Sequence, residues 1–180
     1  ENSFIWLKEA GVALPVYCVQ EPELPLLLSK STNLFKLFLS DVGLLASMYV
    51  DGLQLKILSR EKDINFGAIY ENVAAQELKA HGFELYYFNS KKQGELDFVI
   101  EYKGNVLPLE IKSGKAYTRH NALDNVLKEE KYAIPQAFVF CNKNISTQGK
   151  IAYLPIYMIG FLEKEKIEEY IYSIDLSALQ

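Results

Sequence analysis

Gly94-Glu95-Leu96-Asp97-Phe98-Val99-Ile100-Glu101-Tyr102-Lys103-Gly104-Asn105-Val106-Leu107-Pro108-Leu109-Glu110-Ile111-Lys112 decides the fold of this chain. It reads as a β-hairpin. Tyr102 and Asn105 flank Lys103-Gly104, and glycine supplies the positive φ that two-residue hairpin loops demand. That register sets Asp97 opposite Glu110 and Glu95 opposite Lys112. Directly opposite residues share a face, with Cβ atoms about 4.5–5.5 Å apart. Side chains alternate along a strand, so Glu110 and Lys112 share that face too. Leu96, Phe98, Ile100, Leu109 and Ile111 are then expected on the opposite, core-facing side. A slip of one residue would put Asp97 among them, so the register is well specified.

Two carboxylates that close repel, and one pKa rises unless a cation sits between them. Mg²⁺ suits such a pair, because one or two carboxylates hold it while phosphate and water fill its other positions. Lys112 would stand beside the metal water, able to orient it or to stabilise charge on a phosphate. The bland alternative is a solvated face of cross-strand ion pairs, with Glu95–Lys112 the obvious one.

A third acid precedes the hairpin. Residues Phe66 to Ala80 read as a helix that stops at His81-Gly82, with glycine as the left-handed cap. Glu71 lies three, four and seven residues before Ala74, Ala75 and Leu78, along the apolar stripe. A carboxylate there is costly unless it is paired, ligates something, or borders the stripe and reaches water.

The order of a helix with Glu71, then Asp97, then Glu110-x-Lys112, then a helix and a strand resembles the PD-(D/E)xK nuclease superfamily. Leu96 stands where that motif has proline. The resemblance implies that Asp97, Glu110 and Glu71 bind Mg²⁺ or Mn²⁺ and that Lys112 assists the attacking water. The stretches Phe35 to Ala46, Gly67 to Leu78, Gly94 to Phe98, Glu110 to Gly114 and Leu154 to Tyr157 narrow it further. Together they look like the uncharacterised C-terminal domain of bacterial and archaeal AAA+ ATPases, which follows an ATPase module and a winged-helix region. The implied fold is α/β: a restriction-endonuclease-like mixed sheet flanked by helices, with a short winged-helix remnant in front. Residues 1–30 would be that remnant and its linker, and residues 31–180 the nuclease-like domain. The implied function is metal-dependent cleavage of nucleic-acid phosphodiester bonds. The alternative is a non-catalytic module that binds DNA or protein.

Composition bounds the rest. The chain has 180 residues, 49% hydrophobic and 23% charged, enough for one solid domain. It starts at Glu1, which with the resemblance suggests the C-terminal piece of a longer protein. No GxxxxGK[ST] loop occurs, so ATP is expected only in the absent ATPase module. No apolar run is long enough to span a membrane and no signal peptide is visible. Cys18 and Cys141 are far apart, and Cys141 ends an apolar run, so a reduced, buried thiol and a cytoplasmic location are expected. His81 and His120 are unclustered, which argues against zinc or a Ser-His-Asp triad. His81 reads as a partner of the helix end.

The net charge of −4 and pI near 5.3 argue mildly against tight non-specific DNA binding, although a metal adds local positive charge. Lys91, Lys92, Lys115, Tyr117 and Arg119, with Lys112 and His120, form the basic and aromatic set expected to border a DNA cleft. Ordinary solvated loops are the alternative. Tyr70, Tyr87 and Tyr117 are candidates to stack on bases. Homo-oligomerisation is left open.

Around the core the sequence predicts a helix at Ser3 to Ala10 with Trp6 in a core or interface, and a strand at Ala13 to Val19. A bend follows at Glu21 to Pro25, then a strand from Leu34 to Leu39 and a helix capped by Asp41 through Met48. Further on come a strand at Glu84 to Phe88, a helix at Asn121 to Tyr132, strands at Ala137 to Cys141 and Ile151 to Leu154, and a last helix at Phe161 to Tyr170.

Overall fold

Lys103 and Gly104 both adopt positive φ, 49° and 69°, and Tyr102 pairs with Asn105. This is the two-residue turn whose twist matches its flanking strands. A computed structural model describes residues 3–48, 55–56, 59 and 66–165, and the hairpin lies at its centre. The strands are β1 Ala13–Val19, β2 Lys30–Leu39, β3 Tyr86–Ser90, β4 Gly94–Tyr102, β5 Asn105–Lys112, β6 Ala137–Cys141, β7 Ser146–Gln148 and β8 Ile151–Pro155. The helices are α1 Ser3–Glu9, α2 Val42–Ser47, α3 Gly67–Ala80 and α4 Asn121–Lys128. All eight strands form one mixed sheet in the order β2-β1-β3-β4-β5-β6-β8-β7. The architecture is thus α/β with a mixed sheet flanked by helices. Residues 13–19 form a strand inside this same sheet, parallel to β3 and antiparallel to β2.

Both faces of the hairpin are buried, which corrects the expectation of one apolar and one polar face. On one side α3 packs Ala74, Ala75 and Leu78 against Phe98, Ile100, Leu107, Leu109 and Ile111. On the other, α4 packs Leu123 and Val126 with Leu96, Val99, Val106 and Val139. Leu96 therefore lies opposite to Phe98 and Ile100, although alternation would put all three together. The cause is a β-bulge. Tyr86 pairs with Val99 and Phe88 with Leu96, so Asp97 and Phe98 together face Tyr87.

α3 ends as its sequence predicts: the His81 N–H bonds the Glu77 carbonyl, and Gly82 follows at φ 82°. The His81 Nδ1 also stands 2.8 Å from the Leu162 carbonyl, so the ring holds the chain that follows the sheet. Two amide side chains fasten α3 to β2 and to α2. Buried Asn72 accepts from the Leu39 N–H at 2.8 Å and donates to its carbonyl at 3.0 Å, as a neighbouring strand would. Gln76 accepts from the Val42 N–H at 2.9 Å.

Several boundaries differ from expectation. β2 begins at Lys30, four residues early, and β3 runs Tyr86–Ser90, later than predicted. α4 stops at Lys128 because Glu129 is extended, and Glu130–Tyr132 form a separate 3-10 turn. Residues 156–161 form a 3-10 turn, residues 162–165 are not helical, and the rest of the predicted last helix lies outside the described residues. The predicted loop at 51–63 lies largely outside them as well. Trp6 is 80% exposed and not a core residue. Cys18 and Cys141 are both free and buried. Among the described residues no helix is long and apolar enough to cross a membrane.

Candidate functional site: an acidic cluster at a sheet bulge

The ladder between β4 and β5 is regular from Tyr102–Asn105 to Phe98–Leu109. Beyond that pair a side chain takes over. Asp97 Oδ2 accepts a hydrogen bond from the Ile111 N–H at 2.8 Å. The bulge thus turns the Asp97 carboxylate between the strands rather than onto a face. It also stands beside the Glu110 carboxyl on β5, close enough to raise it. Glu110 is 2% exposed, and its Oε2 lies 2.6 Å from Lys112 Nζ.

This corrects the expected Glu95–Lys112 pair. Lys112 pairs within its own strand, and Glu95 turns to Lys36 on β2 at 2.5 Å, with Asn89 donating to its other oxygen at 2.9 Å. Lys36 also sits 5.0 Å from the centre of the Tyr87 ring. Sequence reasoning passed over Lys36. The available signal was a lone cation in the apolar run Leu34 to Leu39.

The electrostatics join these groups into one cluster. Burial, then the neighbouring Asp97, push the Glu110 carboxyl from 4.5 up to about 7, against the attraction of Lys112. Half-buried Glu71 on α3 is raised by burial first and by Asp97 next, while Lys36 and Lys112 pull it down. Burial lowers Lys112, but Glu110, Asp97 and Glu71 together outweigh it and hold the ammonium above its ordinary value. Asp97, Glu110, Lys112 and Glu71 are therefore brought within reach of one another's charge, with Lys36 and Glu95 at the rim.

Asp97 and Glu110 are the residues that could hold a metal. Each commits one oxygen elsewhere, Asp97 to the Ile111 N–H and Glu110 to Lys112. A carboxyl raised by a second carboxylate fits a divalent ion, which would relieve their repulsion. Among the described residues no three His, Cys, Asp or Glu side chains are grouped closely enough to hold a metal ion. Asp97 and Glu110 alone would suit Mg²⁺ completed by water and phosphate.

The members of the basic and aromatic set differ in exposure and in partners. Lys91, Lys92, Lys115 and Arg119 are exposed, and Lys92 lies 3.5 Å from Glu129. His120 leaves the set: it is buried, with Nε2 2.7 Å from the Tyr153 hydroxyl and Nδ1 3.0 Å from Asp124. Tyr117 is partly buried and packs at 84° to the Tyr153 ring, while Tyr87 is buried and offers no open face for stacking. Tyr70 bonds through its hydroxyl to Asn142, which also donates to the Ser113 carbonyl at 3.2 Å. Asn142, another residue the sequence did not mark, links α3, the end of β5 and the end of β6.

A family described as "Domain of unknown function (DUF4143)" matches residues 66–159. The match starts just before α3 and includes Glu71, Asp97, Glu110 and Lys112, but not Lys36. Neither the curated proteins nor the solved structures give a match. With more than half of its residues in the matched span, the chain belongs to the DUF4143 family.

Proposed function

We propose that this domain hydrolyses nucleic-acid phosphodiester bonds with Mg²⁺ or Mn²⁺ held by Asp97 and Glu110, in the manner of the PD-(D/E)xK nucleases it resembles. The supporting observation is geometric. A sheet bulge aims Asp97 at β5, beside a buried Glu110 whose partner Lys112 stands 2.6 Å away. A buried carboxylate beside a second acid is expensive to keep, and such arrangements concentrate at functional sites. The metal would neutralise a bound phosphate and acidify a water. With Glu110 holding the ion, Lys112 would orient the water and meet charge on the phosphate oxygens. Glu71, with its raised pKa, receives the proton of the attacking water. The substrate is DNA, and the domain works beside an AAA+ ATPase module of the same protein in the cytoplasm.

Titration calorimetry with Mn²⁺ tests the site. Wild-type protein is expected to bind, and Asp97→Asn/Glu110→Gln protein is not. In the full-length protein, Asp97→Asn and Lys112→Ala are each expected to abolish cleavage while melting near the wild-type temperature. Undiminished cleavage by either variant refutes the assignment.

A second reading has its own support. Asp97 bonds Ile111, Glu110 bonds Lys112, and among the described residues no third acid completes a metal-holding group. A cluster satisfied within itself fits a module that binds DNA or protein without cutting. Nucleic-acid binding that persists in EDTA and ignores Asp97→Asn would favour it.

A further inference from the structure

We propose that the cleft beside the acidic cluster is a subsite for one unpaired nucleotide of a nucleic-acid strand, next to the phosphate under attack. The inference rests on the hydrolytic reading above. The cleft has a volume of about 410 Å³ and opens over the ends of β6 and β8. Lys112 pairs with Cys141, and Cys141 with Pro155, in parallel register. The carboxyl ends of β5, β6 and β8 therefore stand side by side, and the cleft begins one strand from Lys112. Open α/β sheets bind ligands outside such strand ends.

The lining has the chemistry of a nucleotide contact. It carries the ammonium of Lys143, the amides of Asn142 and Asn144, the Tyr157 ring and no carboxylate. That contrasts with the acids one strand away. Tyr157 is 70% exposed, so its ring is open to a base, unlike buried Tyr87. Aromatic faces stack any base, amides read base edges, and a lysine neutralises the adjoining phosphate. Asn142 ties this wall to the active cluster. It donates to the Ser113 carbonyl, one residue past Lys112, and bonds the hydroxyl of Tyr70, one residue before Glu71. A strand whose base lies on Tyr157 is thereby led toward Lys112. The cleft lies open at the strand ends, and a base paired in a duplex must leave the stack to lie on Tyr157.

Fluorescence anisotropy in EDTA, with a labelled single-stranded oligonucleotide and the matching blunt duplex, separates binding from cleavage. The single strand is expected to bind more tightly than the duplex. Tyr157→Ala is expected to weaken single-strand binding roughly tenfold, with the melting temperature unchanged. Lys143→Ala is expected to weaken it severalfold and to reduce the salt slope by about 0.7. No binding by the wild type, equal affinity for both nucleic acids, or unaltered binding by both variants overturns the subsite. A Mn²⁺ cleavage assay on the same proteins tells the two readings apart. Cleavage with unaltered Tyr157→Ala binding removes the subsite and leaves hydrolysis standing. Binding that depends on Tyr157 and Lys143 without any cleavage keeps the subsite and removes hydrolysis.

Discussion

The two halves of one hairpin do opposite things. From Phe98–Leu109 to the turn, β4 and β5 pair in regular register and bury apolar side chains on both faces. Beyond Phe98 the same strands bulge, replace a ladder bond with a carboxylate, and bury Glu110. The tip half supplies hydrophobic burial. The open half holds one buried carboxyl, Glu110, among partly exposed charges, at a cost the tip half offsets. A functional site on a sheet can thus be held rigidly without itself being stable.

The largest effect should come from the tip half. Phe98 is fully buried and contacts Phe38 of β2, with ring centres 5.4 Å apart. Phe98→Ala is expected to lower unfolding free energy by about 3–5 kcal/mol in urea titrations. A loss under about 1 kcal/mol would mean that the regular half does not anchor the sheet.

Next in size, Glu110→Gln should stabilise the protein at neutral pH. Between pH 4.5 and about 7 the folded state holds a proton on Glu110 that the unfolded chain has released. Stability therefore falls as pH rises through that window and levels off above it. A rise from 4.5 to about 7 corresponds to roughly 3 kcal/mol at most. Loss of the Lys112 partner reduces the net gain from the substitution. Denaturation at pH 5, 6, 7 and 8 should show the slope in wild type and its absence in Glu110→Gln. A variant less stable than wild type at pH 8 would make the ionised pair a stabilising bridge and favour the non-catalytic reading.

How far the sequence carries follows from the same contrast. The tip half is written locally. Lys103-Gly104 sets the turn, the turn sets the register, and alternation puts Glu110 and Lys112 on one face. The α3 stop at His81-Gly82 is equally local, and the α/β class follows from the alternation of elements. The open half depends on partners far along the chain. No Gly or Pro marks the bulge at Asp97-Phe98, so the strand reads as regular and Leu96 is put on the wrong face. The partner of Glu95 is Lys36, 59 positions earlier, and that of His120 is Tyr153, 33 positions later. Neither spacing leaves a periodic trace. Burial on both faces also hides the difference, since Val99 and Val106 suit either a core or an edge.

A third test joins the two halves through metal binding. Glu110 must lose its proton to take a divalent ion, so Mn²⁺ affinity should fall about tenfold for each pH unit below its pKa and flatten above about 7. Calorimetric titrations at pH 6, 7 and 8 would show it. The Phe98→Ala protein, assayed where it remains folded, should give the same pH profile with weaker binding. Affinity indifferent to pH would remove Glu110 from the ligand set.

The smallest effects are expected at the turn leading into the open half. Lys91 and Lys92 lie on the surface between β3 and β4, and the contact of Lys92 with Glu129 at 3.5 Å is exposed. Such pairs contribute about 0–1 kcal/mol, so Lys91→Ala and Lys92→Ala should leave the melting curve almost unmoved. Their value is diagnostic. A lysine that neutralises one phosphate contributes about 0.9 to the salt slope of duplex binding. Each substitution should reduce the slope by that amount if the β3–β4 turn borders the substrate. An unchanged slope would mark these lysines as solvated charges and confine nucleic-acid contact to the strand ends beside Lys112.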